Sequence, residues 1–84
     1  MRFRTISGSV YELDDLNKRI RRMSGAKDPT PRQGPDGEWK TYAHLLEAPQ
    51  EGKSLVIVWA VGDDTEAGPL LKTTMTSMIV EILV

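Results

Sequence analysis

The chain lacks cysteine and has a single histidine, His44. Without thiols it forms no disulfide, no cysteine-ligated zinc site, no iron–sulfur cluster and no cysteine nucleophile. One imidazole also falls short of a histidine-rich metal site. We therefore expect a fold without covalent cross-links, and neither a metal nor a cofactor.

Long hydrophobic runs are also missing. Met1 is followed by Arg-Phe-Arg-Thr rather than by the apolar segment of about 7–15 residues that marks a signal peptide. No stretch approaches the roughly 18 apolar residues of a transmembrane helix. These absences predict a cytoplasmic protein with no membrane partner.

The chain is short and poor in aromatic residues. Its 84 residues (9.4 kDa) are 39% hydrophobic and 27% charged, with only two Trp, two Tyr and one Phe. This composition predicts one small domain spanning residues 1–84. A core in a chain of about 70–80 residues rarely contributes more than about 3–5 kcal/mol, so we expect the chain to assemble with itself.

Two segments have the composition of β-strands. Residues 54–61 are rich in β-branched side chains and apolar on both faces, which predicts a central strand covered on both sides. Residues 73–84 also favour a strand. The polar, Gly-rich residues 62–69 between them predict a long hairpin loop. Residues 38–46 predict a strand that relaxes into a helical turn before Pro49.

The N-terminal third allows two interpretations. A helix at about 9–24 is favoured by a capping box at residues 9–12 and by apolar residues at helical spacing, namely Leu13, Leu16, Ile20 and Met23. Alternatively, residues 2–13 and 18–23 are strands joined by a polar turn at 14–17, with Gly8 marking a bulge.

The hairpin interpretation leads to an all-β fold. Residues 5–13 and 74–82 both have a hydroxyl-rich start and an apolar-apolar-Glu-apolar end. If these segments pair as first and last strands, they close a small sheet and protect the C-terminal edge. We therefore expect a mainly β barrel or sandwich of about five strands; the alternative is an α+β fold with the N-terminal helix.

The apolar C-terminal tail is the basis for expecting a homodimer or a higher symmetric oligomer. Glu81 is its only charge, and its apolar residues occupy both faces of the predicted strand: Ile79, Val80, Ile82, Leu83 and Val84. One small sheet covers only one face of such a strand. A second subunit would cover the other.

The basic run at residues 18–22 is the first candidate binding feature. In a strand, Arg19 and Arg21 share one face with Met23, while Lys18, Ile20 and Arg22 share the other. Guanidinium groups presented together suit bidentate binding of phosphate or carboxylate. Four charges in five residues are also typical of a solvated edge strand.

A second candidate lies around the Pro- and Gly-rich segment 24–37, which has the composition of a functional loop. Arg32, Trp39 and Lys40 combine cations with a ring that can stack on a base. Trp39 could instead fill the core. Hydroxyls at Thr76 and Ser77 could complete a polar site. The predicted ligand-binding residues are Arg21, Arg22, Arg32, Trp39, Lys40, Thr76 and Ser77.

Several short motifs are spread along the chain. They are Thr5-x-Ser7-Gly8-Ser9-x-Tyr11-Glu12, Lys18-Arg19-Ile20-Arg21-Arg22, Pro31-Arg32-Gln33-Gly34, Asp36-Gly37-Glu38-Trp39, Leu55-x-Ile57-Val58-Trp59 and Thr74-x-Thr76-Ser77. Together they resemble small uncharacterised β-rich accessory proteins of actinobacterial phages and prophages. The resemblance implies a phage accessory protein located in the host cell cytoplasm and acting against a host process. It assigns no catalytic residues.

Catalytic patterns are missing from the sequence. It contains no Gly-x-Ser-x-Gly elbow and no phosphate-binding loop of the Gly-x-x-x-x-Gly-Lys-Ser/Thr type. The acidic pairs at 14–15 and 63–64 lack the spacing of a calcium loop and read as turns. We therefore expect a protein that is not an enzyme.

The charge is unevenly distributed along the chain. Residues 1–33 hold eight basic and four acidic residues, whereas residues 34–84 hold three basic and eight acidic residues. A basic N-terminal part predicts capture of an anion, either a nucleotide-like small molecule or a short nucleic acid. The alternative is an interaction module or inhibitor whose basic surface docks an acidic host or phage protein.

Overall fold

The chain forms an antiparallel β-structure. The computed structural model describes residues 1–25, 35–65 and 68–83, and for residues 61–65 and 68–70 it describes only the backbone. Seven strands form, rather than about five: β1 (Arg2–Thr5), β2 (Val10–Asp14), β3 (Arg19–Ser24), β4 (Lys40–Thr41), β5 (His44–Leu45), β6 (Ser54–Thr65) and β7 (Gly68–Ile82). No helix occurs in the described residues, which confirms the all-β prediction.

The alternative N-terminal helix at about 9–24 is wrong, because these residues form the hairpin β2–β3. Cross-strand pairs join Glu12 to Arg21 and Leu13 to Ile20. Leu13 and Ile20 reach the core through the two-residue alternation of strands. Leu16 occupies the turn, where 93% of it is exposed. The helical spacing of these apolar residues is therefore coincidental.

The strands form one sheet in the order β4-β3-β2-β1-β7-β6-β5, in which every neighbouring pair is antiparallel. The first and last strands pair as expected, with Phe3 opposite Ile82 and Arg4 opposite Glu81. Curling of the sheet produces a half-barrel. The predicted strand 2–13 is interrupted, however, because Gly8 (φ 88°) donates its N–H to Thr5 O in a turn between β1 and β2.

The two ends of the sheet are joined by a single dipeptide. β4 and β5 lie at opposite ends of the strand order, yet only Tyr42 and Ala43 separate them. Tyr42 N donates to Lys18 O (2.9 Å), and Ala43 N donates to Val58 O (2.8 Å). Two successive residues thus extend the ladders at the two ends. This arrangement replaces the continuous strand and helical turn expected at residues 38–46.

The core lies on the concave face of the sheet. Phe3 is fully buried and stacks on Tyr11, with ring centroids 5.3 Å apart. The other buried members come from β2, β3, β6, β7 and the dipeptide between β4 and β5: Leu13, Ile20, Tyr42, Leu55, Ile57 and Ile79. Removing a methylene group from such a small core lowers the free energy of unfolding, because the close-packed neighbours cannot fully fill the space that it leaves.

Strands β6 and β7 extend further than the sequence indicated. Thr65 pairs with Gly68, so the ladder crosses most of residues 62–69, where a loop was expected. A register shift between Val61 and Thr65 accommodates the polar, Gly-rich residues. The expectation that 54–61 is covered on both sides is wrong beyond Val58, since Ala60 is exposed.

The C-terminal tail satisfies much of its apolar surface within its own chain. Ile79 is buried, and Ile82 and Leu83 are half-buried, because β1 covers this part of β7. Val80 is exposed. Val84 lies outside the described residues. The tail therefore offers less uncovered surface than its composition indicates.

Replacement of Tyr42 by Phe tests how much the Tyr42 hydroxyl stabilises the dipeptide that joins the two ends of the sheet. The Tyr42 hydroxyl donates to Asp15 Oδ1 (2.6 Å), and burial, reinforced by this bond, raises the pKa of Tyr42 above its ordinary value of 10. We expect Tyr42→Phe to lower the free energy of unfolding by about 1–2 kcal/mol. Denaturant titration measures this loss.

Asp15 supplies the matched control for this variant. Asp15→Asn keeps an acceptor oxygen and should cost less than Asp15→Ala. Combining Tyr42→Phe with Asp15→Ala should cost less than the sum of the two, because both remove the same bond. Additive losses would contradict this role of the hydroxyl.

Candidate functional site

A cavity of about 210 Å³ opens between the hairpin β2–β3, strand β4 and the hairpin β6–β7. Its described lining residues are Tyr11, Ile20, Arg21, Arg22, Lys40, Ile57, Trp59, Thr74, Met75 and Thr76. Four of the predicted binding residues are among them, namely Arg21, Arg22, Lys40 and Thr76. Strands distant in sequence therefore bring much of the predicted set together.

Strand alternation explains why cations line this cavity. Ile20 and Arg22 of β3 are buried, whereas Arg19, Arg21 and Met23 are only half-buried on the other face. Lys40 pairs with Ile20, so its side chain projects from the same face of the sheet as Ile20. The division of faces predicted for the basic run is confirmed for residues 19–23, and its inward cation is Arg22. The placement of Lys18 on the inner face is wrong, because Lys18 lies in the exposed turn before β3 with φ 51°.

Arg22 is the most enclosed of these cations, with 7% of the residue exposed. Its Nε lies 3.5 Å from Asp36 Oδ1, and its backbone oxygen accepts a hydrogen bond from Gly37 N (2.7 Å). The guanidinium also packs directly on the backbone of Gly25, where a Cβ atom would lie 1.8 Å from Nη2. Gly25 thus provides the space that Arg22 occupies.

Hydroxyl groups organise the opposite wall of the cavity. Trp59 Nε1 donates to Thr74 Oγ1 (2.8 Å), which orients the indole beside the lining residues. Thr76 Oγ1 accepts from Leu55 N (3.0 Å) and donates to Ser77 O (2.8 Å). Thr76 therefore ties β6 to β7, and its hydroxyl proton is already used.

Trp59 is a lining residue that the predicted set missed. The signal was present, because alternation along β6 places Trp59 on the same face as Leu55 and Ile57, which are buried in the core. Trp39 was preferred for its position beside a loop with cations. Proximity along the sequence proved a poorer guide than the face of the strand.

Trp39 lies on the outer face of the sheet. The guanidinium carbons of Arg19 and Arg21 each lie 4.4 Å from its ring centroid. Its ring is therefore engaged by two arginines of its own chain. The alternative prediction that Trp39 fills the core is wrong, because Trp39 does not belong to the core cluster, and it is not among the lining residues of the cavity.

The outer arginines are also paired with carboxylates. Arg21 donates to Glu12 (2.6 Å), and Arg19 donates to Asp14 (2.8 Å). On the same face, Arg2 bonds to Glu12 and Arg4 bonds to Glu81. The basic character of the N-terminal part is thus largely matched by acids on neighbouring strands.

The remaining predicted residues lie elsewhere. Ser77 is half-buried, and its Oγ is 2.6 Å from Ser7 Oγ, between β7 and the β1–β2 turn. Ser77 is not among the lining residues of the cavity. Arg32 lies outside the described residues. The cavity therefore replaces Trp39 and Ser77 of the predicted set with Trp59 and Thr74.

The cavity combines a basic lining with apolar walls. Of its described lining residues, three are basic and none is acidic, but Arg21 is already bonded to Glu12 on the outer face, which leaves Arg22 and Lys40 as the inward cations. The side chain of Lys40 has no hydrogen-bond or ion-pair partner within the described part of the chain. Ile20, Ile57 and Trp59 supply the apolar surface. Such a lining can attract an anion and pack against an adjoining flat group.

Comparison of the chain with protein-family models, with curated proteins and with solved structures found no match. Among the side chains that the structure describes, no three His, Asp or Glu residues are grouped closely enough to hold a metal ion. Within the same residues, no helix is long and apolar enough to cross a membrane.

The outer charge ladder predicts an acid-dependent contribution to stability. Hydrogen bonds from Arg2 and Arg21 hold the pKa of Glu12 below its ordinary value of 4.5. Stability from this group is complete above pH 4.5 and is lost as the pH falls through the lowered pKa. We expect Glu12→Gln to be less stable than the parent protein at neutral pH, with a difference that disappears in acid.

Thermal unfolding across this pH range measures the effect. Glu38→Gln is the control, because Glu38 is exposed and has no ion-pair partner among the described residues. A stability difference for Glu12→Gln that stayed constant down to strongly acidic pH would contradict the role assigned to Glu12.

Gly25→Ala tests the packing of Arg22. Gly25 is not among the glycines with positive φ, so alanine fits its backbone and would ordinarily stabilise a loop by about 0.4–1 kcal/mol. The added methyl collides with the guanidinium at the end of the Arg22 side chain, so the guanidinium must move aside and we expect the stabilisation to be lost. In an Arg22→Met background the same change should be neutral or stabilising. Denaturant titration of the four proteins decides this, and equal effects in both backgrounds would refute the contact.

Proposed function

We propose that the protein is a binding module that captures the anionic group of a nucleotide-like small molecule in the cavity, without a chemical step. The observation that carries this proposal is the convergence of Arg22 and Lys40 beside Trp59, in a cavity whose described lining has no acid. Cations supply affinity for phosphate, and the ring supplies a stacking surface.

The size of the cavity limits what it can enclose. A cavity of about 150 Å³ is enough to bind benzene, so about 210 Å³ accommodates a phosphate or a single ring, but not a whole nucleotide. We therefore infer that the anionic group enters beside Lys40 and Arg22, while the rest of the ligand extends past Trp59 toward the mouth.

Burial of Arg22 also supports an anion as the ligand. Arg22 is 7% exposed, and charges in such an environment interact more strongly than at the open surface. A phosphate beside Arg22 would therefore form charge-assisted bonds in a region partly shielded from water.

The outer face gives less support to a short nucleic acid or an acidic protein as the partner. Its arginines are matched by Glu12, Asp14 and Glu81, so an approaching polyanion meets both signs of charge. Binding there would require separating existing pairs. Action against a host process, which the resemblance to phage proteins implies, belongs to the same proposal and needs only that the captured molecule be used by the host.

Calorimetric titration tests the proposal directly. Linear and cyclic nucleotides, inorganic phosphate and single-stranded DNA are titrated into the protein up to millimolar concentration. We expect saturable binding of at least one nucleotide, and weaker binding of phosphate alone. Absence of heat with all of these ligands, confirmed by unchanged thermal stability, would overturn the proposal.

Substitution of Lys40 tests whether the ligand binds in the cavity. Lys40→Met should weaken binding by about 10- to 100-fold, because one bond between charged groups is lost. Lys53→Met, which removes an exposed lysine outside the cavity lining, is the control.

Arg22→Met separates binding from stability. It should abolish binding while the protein remains folded, because the charge is lost and an apolar side chain of similar length fills the enclosed site. If Arg22→Met binds normally but unfolds more easily, Arg22 is structural and the assignment fails.

A further inference from the structure

Strand β7 leaves part of one edge unpaired. On one side it pairs with β6 from Gly68 to Met78, and on the other side it pairs with β1 only from Ile79 to Ile82. The last backbone bond on the β1 side is from Ile6 N to Met78 O (2.8 Å). Among the described residues, nothing pairs with this edge between residues 68 and 76. Open backbone groups on an edge of this length are a template for another strand.

The side chains on this edge increase its tendency to associate. Leu71 is 54% exposed and Met75 is 68% exposed, with exposed Thr73 between them. Alternation places these three residues on one face, and Lys72 and Thr74 on the other. Lys72 is the only charged residue in 68–76. The edge thus lacks most of the charge that usually discourages strand pairing.

We propose that a second copy of the chain pairs with this edge, antiparallel, about a two-fold axis perpendicular to the sheet at Thr73. In that register Leu71 of each copy lies opposite Met75 of the other, and the two Thr73 residues face each other. Both apolar side chains gain an apolar neighbour, and two threonines form a favourable cross-strand pair. Because both copies use the same surface, this isologous contact is complete with two subunits and gives a dimer.

The sequence around Thr73 selects this register over its neighbours. An axis at Lys72 would place the two ammonium groups directly opposite each other, which is unfavourable. An axis at Thr74 would place Leu71 opposite Ser77 and would separate it from Met75. With the axis at Thr73, Lys72 faces Thr74 of the other copy. Among the registers centred on Lys72, Thr73 and Thr74, only the one at Thr73 combines apolar pairing with separated charges. This self-complementarity is why a second copy, rather than an unrelated strand, fits the edge.

Charge-swap variants test the contact. Leu71 and Met75 are exposed and lie outside the core cluster, so substituting them leaves the core intact; Met75 also lines the cavity, so the readout is the oligomeric state and not ligand binding. We expect the parent protein to have twice the 9.4 kDa chain mass by light scattering at micromolar concentration. Leu71→Lys with Met75→Lys should give a monomer, because lysines then face each other twice. Leu71→Lys with Met75→Glu should restore the dimer, because each lysine then faces a glutamate.

Single cysteines test the register, since the chain has none of its own. Opposed strand residues have Cα atoms roughly 4.5–5.5 Å apart, within the range of a disulfide. Thr73→Cys should therefore oxidise to a covalent dimer. Leu71→Cys should not, because its two copies are offset by four residues, roughly 13 Å.

Four results would overturn the proposal. The first is a parent protein that is monomeric, and the second is a variant with Leu71→Lys and Met75→Lys that remains a dimer. The third is a variant with Leu71→Lys and Met75→Glu that stays monomeric. The fourth is a Leu71→Cys variant that cross-links as efficiently as Thr73→Cys.

Discussion

The curl of the sheet depends on the hydrogen bonds of Tyr42 and Ala43 to its two opposite ends. Tyr42 N bonds to Lys18 beside β3, while Ala43 N bonds to Val58 of β6. The buried Tyr42 ring joins the core, and its hydroxyl is anchored on Asp15. Because neighbouring residues cannot separate by more than one Cα–Cα step, the end strands β4 and β5 stay together. This constraint keeps the concave face closed around a core that has only one phenylalanine.

Curling also gives the two faces of the sheet different electrostatics. On the convex face, Arg19 and Arg21 meet Asp14, Glu12 and the ring of Trp39, so each cation has partners from its own chain. On the concave face, Arg22 and Lys40 border a cavity whose described lining contains no carboxylate. Cations in the second environment are less screened by water and interact more strongly with an entering anion.

The hairpin β6–β7 contributes to both the cavity and the free edge. Near the core, Ile57 of β6 lines the cavity, and the Thr76 hydroxyl of β7 accepts a hydrogen bond from Leu55 N of β6. The other half of the hairpin extends beyond β1 and β5, so Leu71 and Met75 remain exposed. One long ladder therefore builds the cavity wall and also presents an edge with little charge. A sheet of seven strands of equal length would bury that edge.

The sequence by itself determined strand β6, and it favoured the all-β class, the β2–β3 turn and the two faces of β3, because these follow from local composition and from two-residue alternation. It did not exclude a helix over residues 9–24, because the spacing of Leu13, Leu16 and Ile20 fits the period of a helix as well as two strands joined by a turn. Only the tertiary structure decided that Leu16 belongs to a turn and that Trp59, rather than Trp39, stands beside Arg22. Trp59 and Arg22 are 37 residues apart in the chain. Their meeting depends on the order and curl of all seven strands, and these arise from long-range pairing and core packing that no local pattern contains.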